Sequence, residues 1–380
     1  MPYCDGVFRE IQITKRDKLI GMNDAFSWSQ ILERLESNID LSKAEASWAM
    51  EQIMGGEAAE DDMAAFLVAL RAKGETLEEI SGFVDVMLAN ALPMPISNDA
   101  IDIVGTGGDQ LGTVNISTMA AIVAASCGYP VLKHGSRSAS GKTGSSEMLE
   151  ALGINLELSP EQLAQVFKEA NIVFFFAPKF HPSLRHVGPT RKKLGIPTTF
   201  NFLGPLANPA QPVATALGVA NASMAPLLAS ELASRGRTGL VFRGSDGLDE
   251  LTTTGPSQIW VVFEGKVTEF SFDPAHIGIP RAQIDQLIGG DATENASIAK
   301  AMFGLDSGFS GDKAPIQDIV ALNAAAGITA YELSKLASLD QFNLEDSLAK
   351  NYALALSAMN DGRALAKMNQ WVHLSQSFGE

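Results

Sequence analysis

Three stretches of this sequence carry the residue types that bind a phosphorylated ligand. In the first, DIVGTGGDQLGTVNIST (102–118), an apolar run leads into Gly105, Gly107 and Gly108, and a helix is predicted from about Ser117. Closely spaced glycines let backbone N–H groups approach a phosphate, and a helix N-terminus adds partial positive charge. The spacing is not G-x-G-x-x-G, so it predicts a phosphate site and not a dinucleotide site.

The second stretch, KHGSRSASGKTGSSE (133–147), follows a strand predicted to end at Leu132. Its basic side chains and hydroxyls form a loop rich in hydrogen-bond donors within an acidic protein. The loop follows the end of a strand, where α/β proteins bind ligands. The Gly-Lys-Thr at its centre matches the end of a nucleotide-binding P-loop. However, five residues separate Gly135 from Gly141 where that loop has four, so the spacing excludes a P-loop.

The third stretch, GLDE (247–250), places two carboxylates side by side after a glycine turn. Asp249 and Glu250 therefore suit Mg²⁺ held beside a phosphorylated substrate. A fourth stretch (174–209) leads from an apolar strand into Pro178, His181 and Arg191. An arginine near an apolar pocket can pair with a carboxylate in bidentate fashion.

Two kinds of element must position these residues. Residues 27–92 have helical periodicity, with capping boxes at Ser42 and Thr76, and they predict a small helical bundle. After a linker (92–100), short β-rich runs alternate with helices, which predicts an α/β domain with a mostly parallel central sheet. A hairpin turning at Glu264-Gly265 is expected at an antiparallel edge.

Charge and composition exclude several functions. The formal net charge is −16, which argues against nonspecific nucleic-acid binding. Two cysteines form no disulfide framework or zinc pattern. The N-terminus lacks the apolar core of a secretory signal, and no stretch has the length of a membrane span. We therefore expect a soluble cytoplasmic protein with no nucleic-acid or membrane partner.

Taken in order, the four stretches resemble the anthranilate phosphoribosyltransferase family. GTGGD with NIST and KHG-x-R are its specific motifs, and FAP-x-x-HP, LGPL-x-NP, GLDE and IVALNAAAGI reinforce them over roughly residues 27–330. The resemblance implies transfer of phosphoribose from 5-phosphoribosyl 1-pyrophosphate (PRPP) to the amine of anthranilate, a step of tryptophan biosynthesis. It also implies a pair of Mg²⁺ ions in each site and a homodimer that contacts through the helical domains.

The resemblance further implies a domain arrangement. We expect a disordered N-terminal extension over residues 1–26, with Met22 as the true start of the protein. A helical domain over 27–93, with 186–209 packing on it, would join an α/β domain over 94–380. The active site would lie in the cleft between these two domains.

The resemblance assigns roles by motif. The implied catalytic residues are Lys133, Asp249 and Glu250, and the implied metal ligands are Ser117, Asp249 and Glu250. The implied acceptor-binding residues are Gly105, His134, Ser136, Pro178, His181 and Arg191. The implied donor-binding residues are Gly105, Gly108, Asp109, Thr113, Asn115, Ile116, Ser117, Thr118, Lys133, His134, Gly135, Ser136, Arg137, Ser138, Ser140, Gly141 and Ser145.

One departure leaves the acceptor open. Ser136 stands where the family has asparagine after KHG. Serine offers one hydroxyl where the amide offers two donors and an acceptor. One alternative is therefore the same donor with a different aromatic acceptor. Another is a non-enzymatic binding protein on the same scaffold, but the retained phosphate loops and carboxylate pair argue against it.

Overall fold

The computed structural model describes residues 26–137 and 143–378, which form two compact units. One unit contains residues 26–90 and 183–199, and the other contains residues 91–182 and 200–378. The predicted extension over 1–26, apart from Phe26, lies outside the described residues, as do Ser138, Ser140 and Gly141. From the sequence, residues 186–209 are expected to pack on the helical domain. In the structure, the segment that belongs to the helical unit is 183–199.

Helices come first along the chain, and strands then alternate with helices, as the sequence predicts. The helices are α1 Trp28–Glu36, α2 Lys43–Gly55, α3 Glu60–Lys73, α4 Leu77–Ala89, α5 Ile116–Ser126, α6 Ser145–Leu152, α7 Pro160–Ala170, α8 Ala177–Phe180, α9 Gly188–Leu194, α10 Phe200–Leu203, α11 Ala225–Ser234, α12 Ala292–Met302, α13 Ala314–Leu333, α14 Leu344–Asn360 and α15 Arg363–Gln376. The strands are β1 Ile101–Gly105, β2 Val131–Gly135, β3 Ile172–Phe176, β4 Ala214–Gly218, β5 Thr238–Gly244, β6 Ser257–Phe263 and β7 Lys266–Phe272.

The helical unit is ordered by local caps and one buried ion pair. The predicted capping boxes at Ser42 and Thr76 are both present, at the starts of α2 and α4. Glu79, the partner of Thr76, is fully buried and accepts hydrogen bonds from Leu41 N at 2.8 Å and Lys73 Nζ at 3.0 Å. The same carboxylate therefore caps one helix and fixes the loop that precedes another.

Residues 183–199 are held to the helical unit by polar contacts. Lys193 pairs with Glu60 at 2.7 Å, and Thr199 Oγ1 donates to Glu75 at 2.5 Å. Arg71 donates to the carbonyl of Pro197 at 3.1 Å. These contacts join residues 183–199 to α3 and to the loop that follows it, more than a hundred positions earlier in the chain.

The α/β unit is built on a seven-stranded sheet in the order β3-β2-β1-β4-β5-β6-β7. The pairs from β3 to β5 are parallel, and β6 and β7 are antiparallel. Glu264 and Gly265 join β6 to β7 with φ values of 47° and 73°, as a tight hairpin requires. The predicted fold class, an α/β domain after a helical bundle, is confirmed, and so is the hairpin.

Strand β2 runs further than the sequence predicts. Instead of ending at Leu132, it continues through Lys133 and His134 to Gly135. The reason is tertiary, because Lys133 pairs with Phe174 and Gly135 with Phe176 along the parallel partner β3. Two polar side chains are thereby carried into the buried sheet.

Strand order also marks where a ligand would bind. Chain connectivity reverses direction across the sheet between β1 and β4, so their carboxyl ends flank a topological switch point. Gly105 and Gly218 end these two strands and lie opposite each other in register. Within the described ranges, no helix is long and apolar enough to cross a membrane.

Candidate active site

The glycine loop after β1 is built around Asp249. The Oδ2 atom of Asp249 accepts a hydrogen bond of 2.6 Å from the backbone N–H of Gly107. A Cβ added at Gly105 would lie 2.2 Å from the same oxygen, and one added at Gly218 would lie 1.6 Å from the Asp249 carbonyl oxygen. The glycines at the ends of β1 and β4 are therefore required for the GLDE segment to approach the switch point.

The two adjacent carboxylates are nearly buried, and each is held by a backbone N–H group. Glu250 Oε1 accepts from Ser117 N, in the first turn of α5, at 3.1 Å. Burial, followed by the charge of Asp109, raises the pKa of Asp249 to about 7. Burial and the neighbouring charge of Asp249 raise the pKa of Glu250 well above its usual value. Burial and mutual repulsion therefore disfavour the charged forms of these two carboxyl groups in the protein alone.

Lys133 is a buried cation that interacts with these carboxylates. Its side chain is 1% exposed, and its ammonium donates to Ile103 O at 2.6 Å and to Ser117 Oγ at 3.2 Å. Burial lowers the pKa of Lys133, whereas the charges of Asp102, Glu250 and Asp249 act in the opposite direction. Lys133 therefore belongs to one buried cluster of titratable groups with Asp102, Asp249 and Glu250.

Comparison with known proteins places this geometry in a family. The chain matches the family models described as "Glycosyl transferase family, helical bundle domain" over residues 29–91 and "Glycosyl transferase family, a/b domain" over residues 97–365. The anthranilate phosphoribosyltransferase of Leifsonia xyli subsp. xyli is 50% identical over 351 residues, covering 92% of this chain and 99% of that protein. The chain belongs to the anthranilate phosphoribosyltransferase family.

Solved structures of family members agree with this assignment. The anthranilate phosphoribosyltransferase of Thermus thermophilus has a TM-score of 0.80 at 36% identity, covering 91% of this chain and 99% of that one. The enzyme of Saccharomyces cerevisiae, solved in complex with PRPP and Mg, has a TM-score of 0.81 at 27% identity, covering 94% of this chain and 99% of that one. The resemblance predicted from the motifs is confirmed, and the alternative of a different acceptor is not favoured.

Two histidines, His134 at the end of β2 and His181 after α8, have their rings in contact. His134 Nδ1 lies 3.0 Å from Gly204 O, and burial, followed by the charge of His181, lowers the pKa of His134 to about 3. The ring is therefore neutral, with the proton on Nδ1, because a carbonyl can only accept. Its Nε2 is a buried acceptor with no hydrogen-bond partner within residues 26–137 and 143–378. The ring of His181 lies 5.3 Å away, in edge contact.

Asp102 is a site residue that the motif analysis missed. Its carboxylate accepts from His134 N at 3.2 Å and from Asn208 Nδ2 at 2.8 Å, and burial raises its pKa to about 6. Asn208, in the LGPLANP segment, also donates to Leu132 O at 2.7 Å. A lone aspartate inside an otherwise apolar strand was the signal that could have identified it.

The structure brings together many of the residues predicted to bind the phosphoribosyl donor or the metal ions. The backbone or side chains of Gly105, Asp109, Ser117, Lys133, Asp249 and Glu250 interact with one another as described above. Ile116 and Thr118 are buried in the first turn of α5, and the Thr118 hydroxyl has no hydrogen-bond partner within the described ranges. Gly108 has a φ of 88°, next to Gly107, in the loop that leads to Asp109.

Other predicted residues have mainly structural contacts. A Cβ at Gly135 would lie 2.6 Å from Ser145 Oγ, so this glycine allows the loop to close on α6. The carbonyl of Ser136 accepts from Ser146 N at 3.4 Å. Arg137 pairs with Glu150 at 3.2 Å. Both side chains of that ion pair are about half exposed, so it contributes little to stability.

The remaining acceptor-binding predictions fall on separate elements. His181 follows α8, which contains Pro178, and its Nε2 lies 2.8 Å from Ala207 O. Arg191 lies on α9 in the helical unit, where burial lowers the pKa of its guanidinium group. Thr113 and Asn115, which are predicted to bind the phosphoribosyl donor, contact other segments. Thr113 forms an isolated bridge with Ile288, and the amide of Asn115 contacts Asn295 and Thr143.

Proposed function

We propose that the protein transfers the phosphoribosyl group of PRPP to the amine of anthranilate, giving N-(5-phosphoribosyl)anthranilate and pyrophosphate in tryptophan biosynthesis. The observation that carries this proposal is the convergence of Lys133, Ser117, Asp249 and Glu250 at the β1/β4 switch point in a member of this family. The N–H groups and the ammonium there suit a pyrophosphate leaving group.

The reaction requires little acid–base catalysis before attack. The anomeric C–O bond breaks toward pyrophosphate, the amine nitrogen forms a bond to the same carbon, and the amine then loses a proton. Positive charge develops on the sugar and negative charge on pyrophosphate. Lys133 and the backbone N–H groups of the glycine loop stabilise the leaving group, and positioning of the two substrates supplies much of the remaining acceleration.

The carboxylates fit a magnesium ion. Asp102, Asp249 and Glu250 lie near the ammonium of Lys133, and burial raises the pKa of all three carboxyl groups, so a bound cation would favour their charged forms. Within residues 26–137 and 143–378, no three His, Cys, Asp or Glu side chains are grouped to hold a metal by themselves. Mg²⁺ commonly takes one or two carboxylates and completes its shell with water and substrate phosphates.

We assign Ser117, Asp249 and Glu250 to magnesium, with a pair of ions in each site. Bound magnesium neutralises the charge that develops on pyrophosphate. Ser117, Asp249 and Glu250 would hold the ions. Ser117 links this set to Lys133, because its hydroxyl accepts from the ammonium and its backbone N–H donates to Glu250. Chelation followed by magnesium titration tests this assignment.

For the acceptor, we assign Gly105, His134, Ser136, Pro178, His181 and Arg191. His134 presents an unprotonated Nε2, which can accept a hydrogen bond from an amine and adds no charge near the developing sugar cation. Arg191 is the residue of this set that can pair with the anthranilate carboxylate.

We also propose a homodimer that contacts through the helical unit. Ile39 and Val68 of this unit are 47% and 44% exposed, so each could contribute apolar area to such a contact. Sedimentation of the purified protein distinguishes a monomer from a dimer.

One experiment tests the proposed reaction. Purified protein is mixed with PRPP, Mg²⁺ and anthranilate, and loss of anthranilate fluorescence is followed. We expect loss that depends on all three components. Absence of loss, with PRPP binding shown by calorimetry, would exclude anthranilate as the acceptor and leave the donor assignment intact.

A further inference from the structure

A closed ring of four hydrogen bonds joins three segments of the α/β unit. Gly290 N donates to Asn295 Oδ1 at 2.8 Å, and Asn295 Nδ2 donates to Asn115 Oδ1 at 2.8 Å. Asn115 Nδ2 donates to Thr143 O at 3.2 Å, and Thr143 Oγ1 donates back to Gly290 O at 2.8 Å. Asn115 belongs to the stretch 102–118, the first donor loop, and Thr143 belongs to the stretch 133–147, the second donor loop. Residues 290–295 belong to no predicted motif.

The orientation of both amides in the ring is fixed by backbone groups. Gly290 N can only donate, so Asn295 must present its oxygen there and its Nδ2 toward Asn115. Thr143 O can only accept, so Asn115 must turn its own Nδ2 toward that carbonyl. No other orientation of the two amides satisfies all four bonds.

Asn295 is placed to hold this ring rigidly. It is 2% exposed and lies in the first turn of α12, next to the N-cap Asp291. Helix α12 packs against α6, the helix that follows the second donor loop. Backbone bonds from Val114 N to Leu287 O and from Gly289 N to Gly112 O, at 3.0 and 2.9 Å, attach the first donor loop to the same segment.

We propose that Asn295 is a positioning residue that couples the two PRPP-binding loops. It contacts neither the carboxylates nor Lys133 in the contacts described, and it acts through Asn115 and Thr143. Because the ring ties Thr143 to Asn115 and to Gly290, Thr143 at the end of the second loop is held in one position relative to Asn115 before PRPP binds. This proposal rests on the proposed function in one respect, namely that the two loops bind PRPP.

The test compares two variants of Asn295 with a matched control. Asn295→Ala removes both amide bonds. Asn295→Asp keeps the shape of the side chain but removes its N–H donors. The second carboxylate oxygen then faces Asn115 Oδ1, or, if the Asn115 amide flips, Asn115 Oδ1 faces Thr143 O. The control is Asn351→Ala, since Asn351 is fully buried in the same unit and its amide donates to Thr329 and Glu332. All three lose buried hydrogen bonds, so all three should lower the melting temperature.

Only the Asn295 variants should weaken PRPP binding. We expect a rise of about tenfold or more in the PRPP dissociation constant by calorimetry, and in its KM, on the scale of two lost hydrogen bonds. The KM for anthranilate should stay within about twofold, and Asn351→Ala should leave both constants near the wild-type values. Equal loss of melting temperature with unchanged PRPP binding in all three variants would overturn the proposal.

A double-mutant cycle keeps the proposal testable if Asn295→Ala folds poorly. Thr143→Val removes the bond to Gly290 O with little change of volume. Combined with Asn295→Asp, it should weaken PRPP binding by less than the product of the single effects, because both act on one ring. Independent effects would overturn the proposal. If the wild type binds PRPP but does not use anthranilate, the proposed acceptor fails, and the calorimetric comparison still decides the role of Asn295. If the wild type does not bind PRPP, both proposals fail.

Discussion

The carboxylate of Asp249 accepts a hydrogen bond of 2.6 Å from the backbone N–H of Gly107, which lies 142 positions earlier in the chain. This bond joins the glycine loop after β1 to the acidic segment after β5. The two motifs are therefore one structural feature, because the conformation of the loop and the position of the carboxylate depend on each other.

Replacing Asp249 should abolish most of the activity. We expect Asp249→Ala to lower turnover by at least about a hundredfold, the scale of losing one charge contact in the transition state. The anthranilate fluorescence assay measures this loss. Asp285→Ala, at an exposed position of the same unit, is the control and should be near normal. Near-normal turnover of Asp249→Ala would remove this residue from the mechanism.

Gly218 should tolerate no side chain. A Cβ there would lie 1.6 Å from the Asp249 carbonyl oxygen, which is backbone and cannot rotate away. Gly218→Ala should therefore cost about 1–3 kcal/mol in the free energy of unfolding and shift the acidic segment. Urea unfolding and turnover are both measured. Gly188→Ala, where a Cβ would meet nothing within 4 Å, serves as the control, and equal behaviour of the two variants would contradict the steric argument.

Glu250 should set the magnesium requirement. Glu250→Gln keeps an oxygen that can accept from Ser117 N but removes the charge. We expect chelation with EDTA to abolish wild-type turnover and added Mg²⁺ to restore it. The variant should need a concentration of Mg²⁺ about tenfold higher for half-maximal turnover, the effect of about one lost charge-assisted contact. Glu264→Gln, in the exposed hairpin turn, should need no more Mg²⁺ than the wild type.

The buried His134 should make stability depend on pH. Its pKa is about 3 in the folded protein against about 6.5 when unfolded. Between these values the unfolded chain binds more protons, so the contribution of His134 is full above pH 6.5 and is lost as the pH falls. The difference in unfolding free energy between wild type and His134→Gln should shrink by up to about 1.4 kcal/mol per pH unit below 6.5.

An exposed histidine gives this pH test an internal control of opposite sign. The pKa of His276 is raised by its hydrogen bond to Glu345, so its contribution is present at low pH and is lost as the pH rises. The difference in unfolding free energy between wild type and His276→Gln should therefore be small, and it should shrink as the pH rises. If the difference in unfolding free energy between wild type and His134→Gln stays constant between pH 4 and 7, the ring is not held neutral.

Ser136 offers a test of acceptor binding. Serine at this exposed position replaces the asparagine that the family has after KHG. Ser136→Asn adds two donors and an acceptor, so we expect a lower KM for anthranilate and an unchanged KM for PRPP. Steady-state kinetics with each substrate varied in turn gives both constants. An unchanged or raised KM for anthranilate would mean that Ser136 is adapted to its site.

The features that the sequence determined are those set by neighbours along the chain. The capping boxes at Ser42 and Thr76 are present as predicted, because a cap depends on residues three positions apart. The turn at Glu264-Gly265 and the alternation of strands and helices are equally local. The motifs also identified the family, and with it the residues Lys133, Asp249 and Glu250.

Tertiary structure alone decided how these segments meet. Strand order places β2, β1 and β4 side by side, and only this order brings Asp102 to the backbone of His134 and Gly218 to Asp249. Asn295 lies 180 positions from its partner Asn115, and no local pattern marks it. The physical reason is that a buried polar side chain is specified by the groups that must satisfy it, and those groups lie on other strands and loops.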